Sequence, residues 1–100
     1  MLGAEDMLAA YAQGIFPMAE GREADEVFWV SPEQRGIFPI GRFHISRSLA
    51  RKLRSGRHEA SLNRAFAEVV TACADRDETW INADLARVYD DLHAMGAAHS

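Results

Sequence analysis

Apolar residues recur along this chain with two different periods, and the change of period marks the elements. Leu8, Tyr11, Ala12 and Ile15 stand at i, i+3, i+4 and i+7 after Glu5 and Asp6, acids suited to a helix N-terminus. They predict a first helix with that apolar stripe, stopped by Gly14. Gly14 to Met18 is apolar, contains Pro17 and has no helical period, so it either tucks against a core or lines a cleft. Val27 to Val30 is a run of strand formers bounded by Ser31-Pro32, and it predicts a strand. Gly36 to Ile40 predicts a second extended piece, with a turn through Pro32 to Gly36 between the two.

The second half of the chain is more helical. Ser46 as N-cap and Gly56 as stop bracket a helix in which Leu49 and Leu53 predict a buried stripe. A strand is expected around residues 58–61. Asn63 is then expected to cap a helix carrying Phe66, Val69, Val70 and Cys73, which ends in the charged loop Asp75 to Glu78. Thr79-Trp80-Ile81 leads into a last helix capped by Asn82 or Asp84, with a stripe of Leu85, Val88, Tyr89 and Leu92 and a stop at Gly96. This order predicts an α+β fold, a small sheet of short strands packed by three or four helices. A further strand is expected after the last helix, so Ala97 to Ser100 reads as an interrupted end.

Composition narrows the class. One hundred residues, 48% hydrophobic and 26% charged, suit one globular domain and argue against disorder. No apolar run approaches the roughly 18 residues of a membrane span. The first residues lack the basic and apolar regions of a signal peptide, and the single cysteine, Cys73, leaves no internal disulfide. A cytoplasmic protein with no membrane partner is expected.

Charge is unevenly placed. No acid lies between Glu33 and Glu59, where Arg35, Arg42, Arg47, Arg51, Lys52, Arg54 and Arg57 give +7, while the rest of the chain carries −11. Within the predicted helix, Arg47, Arg51 and Arg54 fall at i, i+4 and i+7 on one arc, opposite Leu49 and Leu53. Such a row either is a solvated face or grips phosphates, whose oxygens accept paired bonds from guanidinium groups.

Other chemistry is sparse. His44, His58, His93 and His99 are scattered, and no phosphate-binding glycine loop or nucleophile elbow is present. Trp80 either packs at a helix start or offers a flat face to a base. Met18, after Phe16 and Pro17, either packs or lines an apolar pocket.

Several blocks nevertheless occur together in one order. They are Tyr11 with Gly14-Ile15-Phe16-Pro17, Phe28-Trp29-Val30-Ser31-Pro32, His44-Ile45-Ser46-Arg47-Ser48, Thr79-Trp80-Ile81, and Leu92-His93 with Gly96 and Ala98-His99-Ser100. In these blocks the chain resembles the leucyl/phenylalanyl-tRNA–protein transferase family over nearly its whole length. The resemblance implies an enzyme that moves leucine or phenylalanine from aminoacyl-tRNA to the N-terminal amine of a protein beginning with arginine or lysine, tagging it for N-end rule degradation. It implies no cofactor, because the aminoacyl ester is already activated, and no DNA.

By position, the resemblance places Trp80, Met18 and Phe16 at the pocket for the aminoacyl-adenosine end, and Met18 stands where several relatives have an aromatic residue. It places Arg47, Arg51 and Arg54 in the tRNA-binding cluster. Residues 1–100 then correspond to the family's N-terminal domain. The acetyltransferase-like C-terminal domain, with the groups tied to peptide-bond formation, has no counterpart, so no catalytic residue is expected here. The alternatives are a non-catalytic tRNA-binding module and an inactive fragment with an exposed sheet edge.

Overall fold

A computed structural model describes residues 2–100. Six elements follow one another: α1 (Ala4–Ala12), β1 (Phe16–Ala19), β2 (Val27–Val30), α2 (Arg47–Arg54), α3 (Phe66–Ala74) and α4 (Ala83–Ala94). The fold is α+β. Its sheet is a single antiparallel hairpin in which Phe16 faces Val30, Pro17 faces Trp29, Met18 faces Phe28 and Ala19 faces Val27. Pro17 has no amide hydrogen to give, which is tolerated because each strand has one open edge.

The core lies where α1, α4 and β1 meet. Met7, Ala19, Leu85, Val88 and Leu92 form it, and Ala24, Val27, Ile81, Tyr89 and Ala98 pack around them. The stripe on α4 arises from the predicted period, with Leu85, Val88 and Leu92 all buried. α4 begins at Asn82, whose side chain is buried and used twice. Its Oδ1 accepts from the Leu85 amide at 2.9 Å, and its Nδ2 donates to the Ala24 carbonyl at 3.0 Å, in the loop between the strands. One carboxamide therefore caps the helix and fixes the hairpin to it.

Several expectations are corrected. On α1 the buried positions are Met7 and Ala10, while Leu8 and Tyr11 are about two-fifths exposed. The packing arc is therefore turned by one position from the expected one, with Met7 in the core against α4 and β1. Gly14 to Met18, left open between core and cleft, contributes a strand that does both: Pro17 and Ala19 are buried and Met18 is not. Residues 36–40 and 58–61 form no strand. Neither has a partner among the described residues, and Ile37, Phe38 and Ile40 are 76%, 85% and 99% exposed.

Leu49 and Leu53 are exposed as well, because α2 touches no other helix or strand. Asn63 does not cap α3. Ala65 stands at that position, and Asn63 takes a left-handed backbone, φ 61°, that asparagine tolerates better than most residues. Its amide donates to the Ser100 carbonyl at 2.7 Å, its Oδ1 accepts from the Ser100 amide at 3.2 Å, and its Nδ2 meets His99 Nδ1 at 3.0 Å. Asn63 thus holds the Ala98–Ser100 block rather than starting a helix.

The double role of Asn82 is open to measurement. Asn82→Ala should lower the unfolding free energy by about 1–3 kcal/mol, since it removes a cap and leaves a part-buried carbonyl without its donor. Asn82→Ser keeps a capping oxygen but cannot reach Ala24, and it should recover only part of that loss in urea unfolding.

Candidate functional site

The hairpin alternates its side chains, so Met18 and Phe28 share one face while Pro17 and Ala19 point to the core. At the end of β1 the Ala19 amide donates to the Trp80 carbonyl at 2.9 Å, which brings the segment before α4 alongside the strand. Trp80 is thereby set across from Met18, far from it in sequence. Between them lies a cleft of about 580 Å³, within the range of small-ligand sites, lined by Met18, Phe28, Trp80 and Thr79 with Glu20, Arg22, Arg76, Asp77 and Glu78.

Each wall has a local cause. Thr79 is buried, and its Oγ1 accepts from the Ile81 amide at 3.2 Å, turning the chain into α4. Arg22 reaches from the hairpin loop to the end of α3, where it donates to the Ala74 carbonyl at 2.8 Å and the Arg76 carbonyl at 3.0 Å. A guanidinium suits the unsatisfied carbonyls of a helix C-terminus. Arg22 also braces the loop that carries Arg76, Asp77 and Glu78. Nothing in the pattern of residues 19–26 distinguishes this arginine from the acids around it, and sequence reasoning missed it.

The Trp80 ring meets Tyr89 of α4 edge to face, with centroids 6.3 Å apart. Tyr89 in turn shares a 2.9 Å hydroxyl–hydroxyl hydrogen bond with Tyr11 of α1. Burial, and secondarily the Tyr11 hydroxyl, push the Tyr89 phenol well above its ordinary value. Tyr89 stays neutral in the physiological range and acts as a prop for Trp80. Phe16 stands two residues before Met18 on the same strand face, but it is not one of the side chains lining this cleft.

The arginine row sits elsewhere. α2 begins at Ser46, whose Oγ accepts from the Leu49 amide at 3.2 Å, and Gly56 takes φ 73° just past its end. Arg47, Arg51 and Arg54 are exposed along it. Among the described residues the ion pairs are those of Arg87 with Asp84 and Asp91 on α4, so no carboxylate occupies the α2 guanidinium groups. Of the neighbouring cations, Arg35 is engaged, donating to the Gly14 carbonyl. Among the described residues no three His, Cys, Asp or Glu side chains converge as metal ligands would.

Chemically, the two regions differ in kind. The cleft offers flat and apolar surface with a rim of three carboxylates and two guanidinium groups, one of which, Arg22, is spent on α3. The helix offers positive charge without acids. The first suits a neutral, hydrogen-bond-donating ring system and the second suits phosphates.

Comparison with known proteins places these features in a family. The profile described as leucyl/phenylalanyl-tRNA protein transferase matches residues 37–100, and the one described as the N-terminal domain of that transferase matches residues 1–33. The leucyl/phenylalanyl-tRNA–protein transferase of a Jannaschia species is 57% identical over 94 residues, covering 94% of this chain and 44% of the relative. Those of a Ruegeria species and of Paracoccus denitrificans are each 56% identical over 99 residues, covering 99% of this chain and 47% of the relative. The chain spans somewhat less than half the length of these curated relatives.

The prop beneath Trp80 gives a pH dependence with a definite sign. The folded state holds the Tyr89 proton more tightly than the unfolded state, whose phenol ionises near 10. The stabilisation is therefore complete below pH 10 and is lost progressively as pH rises above it. Urea unfolding of wild type and Tyr89→Phe at pH 8 and pH 10.5 should show the wild type losing more stability between the two.

Proposed function

Because the chain belongs to the leucyl/phenylalanyl-tRNA–protein transferase family, we propose that residues 1–100 act as the N-terminal portion of such an enzyme, receiving the aminoacyl-adenosine end of leucyl- or phenylalanyl-tRNA and gripping its phosphates. The observation that carries this reading is the joining of Met18 and Trp80 in one cleft through the bond from Ala19 to Trp80. The cleft takes the neutral terminal nucleoside. The unpaired arginines of α2 take the backbone.

The reaction itself requires little of these residues. The N-terminal amine of a protein beginning with arginine or lysine attacks the carbonyl of the aminoacyl ester, the 3′ oxygen of the tRNA leaves, and an amide bond replaces the ester. The ester is already activated, so catalysis rests on bringing amine and carbonyl together and on stabilising the developing oxyanion. Trp80 and Met18 orient the nucleoside. Groups that stabilise the oxyanion are assigned to sequence that the longer relatives have and these residues do not include. The product is a protein tagged for degradation in the cytoplasm.

Labelled-leucine transfer from leucyl-tRNA to an arginine-starting peptide tests the division of labour. The folded chain should bind the tRNA and show no transfer above the protein-free background. Transfer by this chain alone would overturn the placement of the oxyanion groups.

Binding should also depend on salt. Three phosphate contacts give a slope of about −2 to −3 in log affinity against log salt. Changing Arg47, Arg51 and Arg54 together to glutamine should remove that slope and most of the affinity. An unchanged slope would take α2 out of the interface. Trp80→Ala should weaken discrimination for the aminoacyl end more than overall tRNA binding, and equal losses would remove Trp80 from the nucleoside site.

A further inference from the structure

Met18 can fill space beside a base, but a thioether chain has no flat face to lay against one. Directly across the hairpin from it stands Phe28, on the same side of the sheet. Phe28 is 46% exposed and lines the cleft together with Met18 and Trp80. Its ring also borders a second depression of about 510 Å³ with Glu20, Ala24, Asp25, Glu26 and Val27, so it forms the ridge between the two. The pairing with Met18 fixes the backbone beneath that ring, and Trp80, itself 37% exposed, presents the other aromatic surface of the cleft.

We propose that Phe28 is a base-stacking residue of this cleft and supplies the aromatic face that Met18 lacks. The inference rests on the reading of the cleft as the site for the terminal nucleoside of tRNA. Its occupant is the unpaired adenine, held between Phe28 and Trp80.

The charges at the rim favour that occupant. Glu20, Asp77 and Glu78 repel a phosphate. Of the two guanidinium groups that would attract one, Arg22 is turned onto the Ala74 and Arg76 carbonyls, which leaves the Arg76 side chain outnumbered by three carboxylates. Carboxylates accept from the exocyclic amine of adenine and from ribose hydroxyls. The cleft therefore selects the neutral nucleoside end and leaves the phosphates to the acid-free segment around α2. Stacking between an aromatic side chain and a base is tolerant of base identity, and the amine-accepting rim adds a preference for an amine-bearing base such as adenine over uracil.

The test is a titration of the intact chain with adenosine, followed by the indole resonance of Trp80 and the ring resonances of Phe28. Ring-current shifts are expected at both residues. Phe28→Ala and Phe28→Leu should each weaken adenosine binding about fivefold or more, because leucine keeps the apolar volume but not the flat face. Phe28→Tyr should stay within about twofold of wild type. Adding Met18→Trp to Phe28→Leu should restore affinity by moving the ring across the strand pair. If Phe28→Leu binds as well as wild type while Trp80 still shifts, Phe28 is not a stacking residue and the nucleoside site stands without it. If wild type shows no shift at Trp80, the nucleoside reading itself falls, and Phe28 with it.

Discussion

A single buried carboxamide ties the hairpin to the last helix of this molecule. Asn82 closes the first turn of α4 with one atom and ties down the hairpin loop with another. The side chain is almost wholly buried, so losing either bond leaves a polar atom poorly compensated. Two residues earlier, the Trp80 carbonyl accepts the Ala19 amide, a second tie between the hairpin and the start of α4. Met7, Leu85, Val88 and Leu92 supply the bulk of the apolar burial behind it. The core supplies the burial, and the Asn82 and Ala19–Trp80 bonds together fix the start of α4 against the hairpin.

What the residue pattern could reveal follows from this arrangement. Ser46, Gly14, Gly56, Asn82 and Gly96 were legible because caps and left-handed stops are local events, set by a few neighbouring atoms. The α4 stripe was legible because its partners, α1 and β1, lie within the chain. Leu49 and Leu53 show the limit of the same logic. Their spacing on a helix was read correctly, but spacing does not say that a surface is present to receive them. Residues 36–40 fail for the same reason, since an extended segment becomes a strand only when another strand satisfies its backbone.

Of the site, the arginine arc and the pairing of Met18 with Trp80 could be anticipated from periodicity and family resemblance. Arg22 and Phe28 could not. Arg22 acts through carbonyls at the far end of α3, a contact that no local pattern encodes. Phe28 acquires its place only when the register of the hairpin is known, because a shift of one residue would turn its ring to the other face. Asn63 is the reverse case. It has the composition of a cap, and tertiary contact with Ser100 drew it into another role.

α2 remains the element least explained by packing. Eight residues are too few for a helix to be stable alone in water, and among the described residues this one packs on no other helix or strand. Its support is local: the Ser46 cap at one end, and cations near the carbonyls at the other. Against that support stands the repulsion among Arg47, Arg51 and Arg54, spaced so that each faces the next. A polyanion that neutralises the row removes the repulsion and leaves the caps. On the proposed reading, phosphate binding and helix formation on α2 are therefore coupled, each favouring the other, with part of the binding free energy going into ordering the helix. The cleft differs in this respect, since Tyr89 and the Ala19 bond hold Trp80 in place before any ligand arrives. The proposed division of work thus sets a braced, aromatic cleft with an acidic rim beside a soft, positively charged helix. On that proposal the nucleoside end has to be oriented to within the tolerance of a reacting carbonyl, whereas the phosphates need only be held.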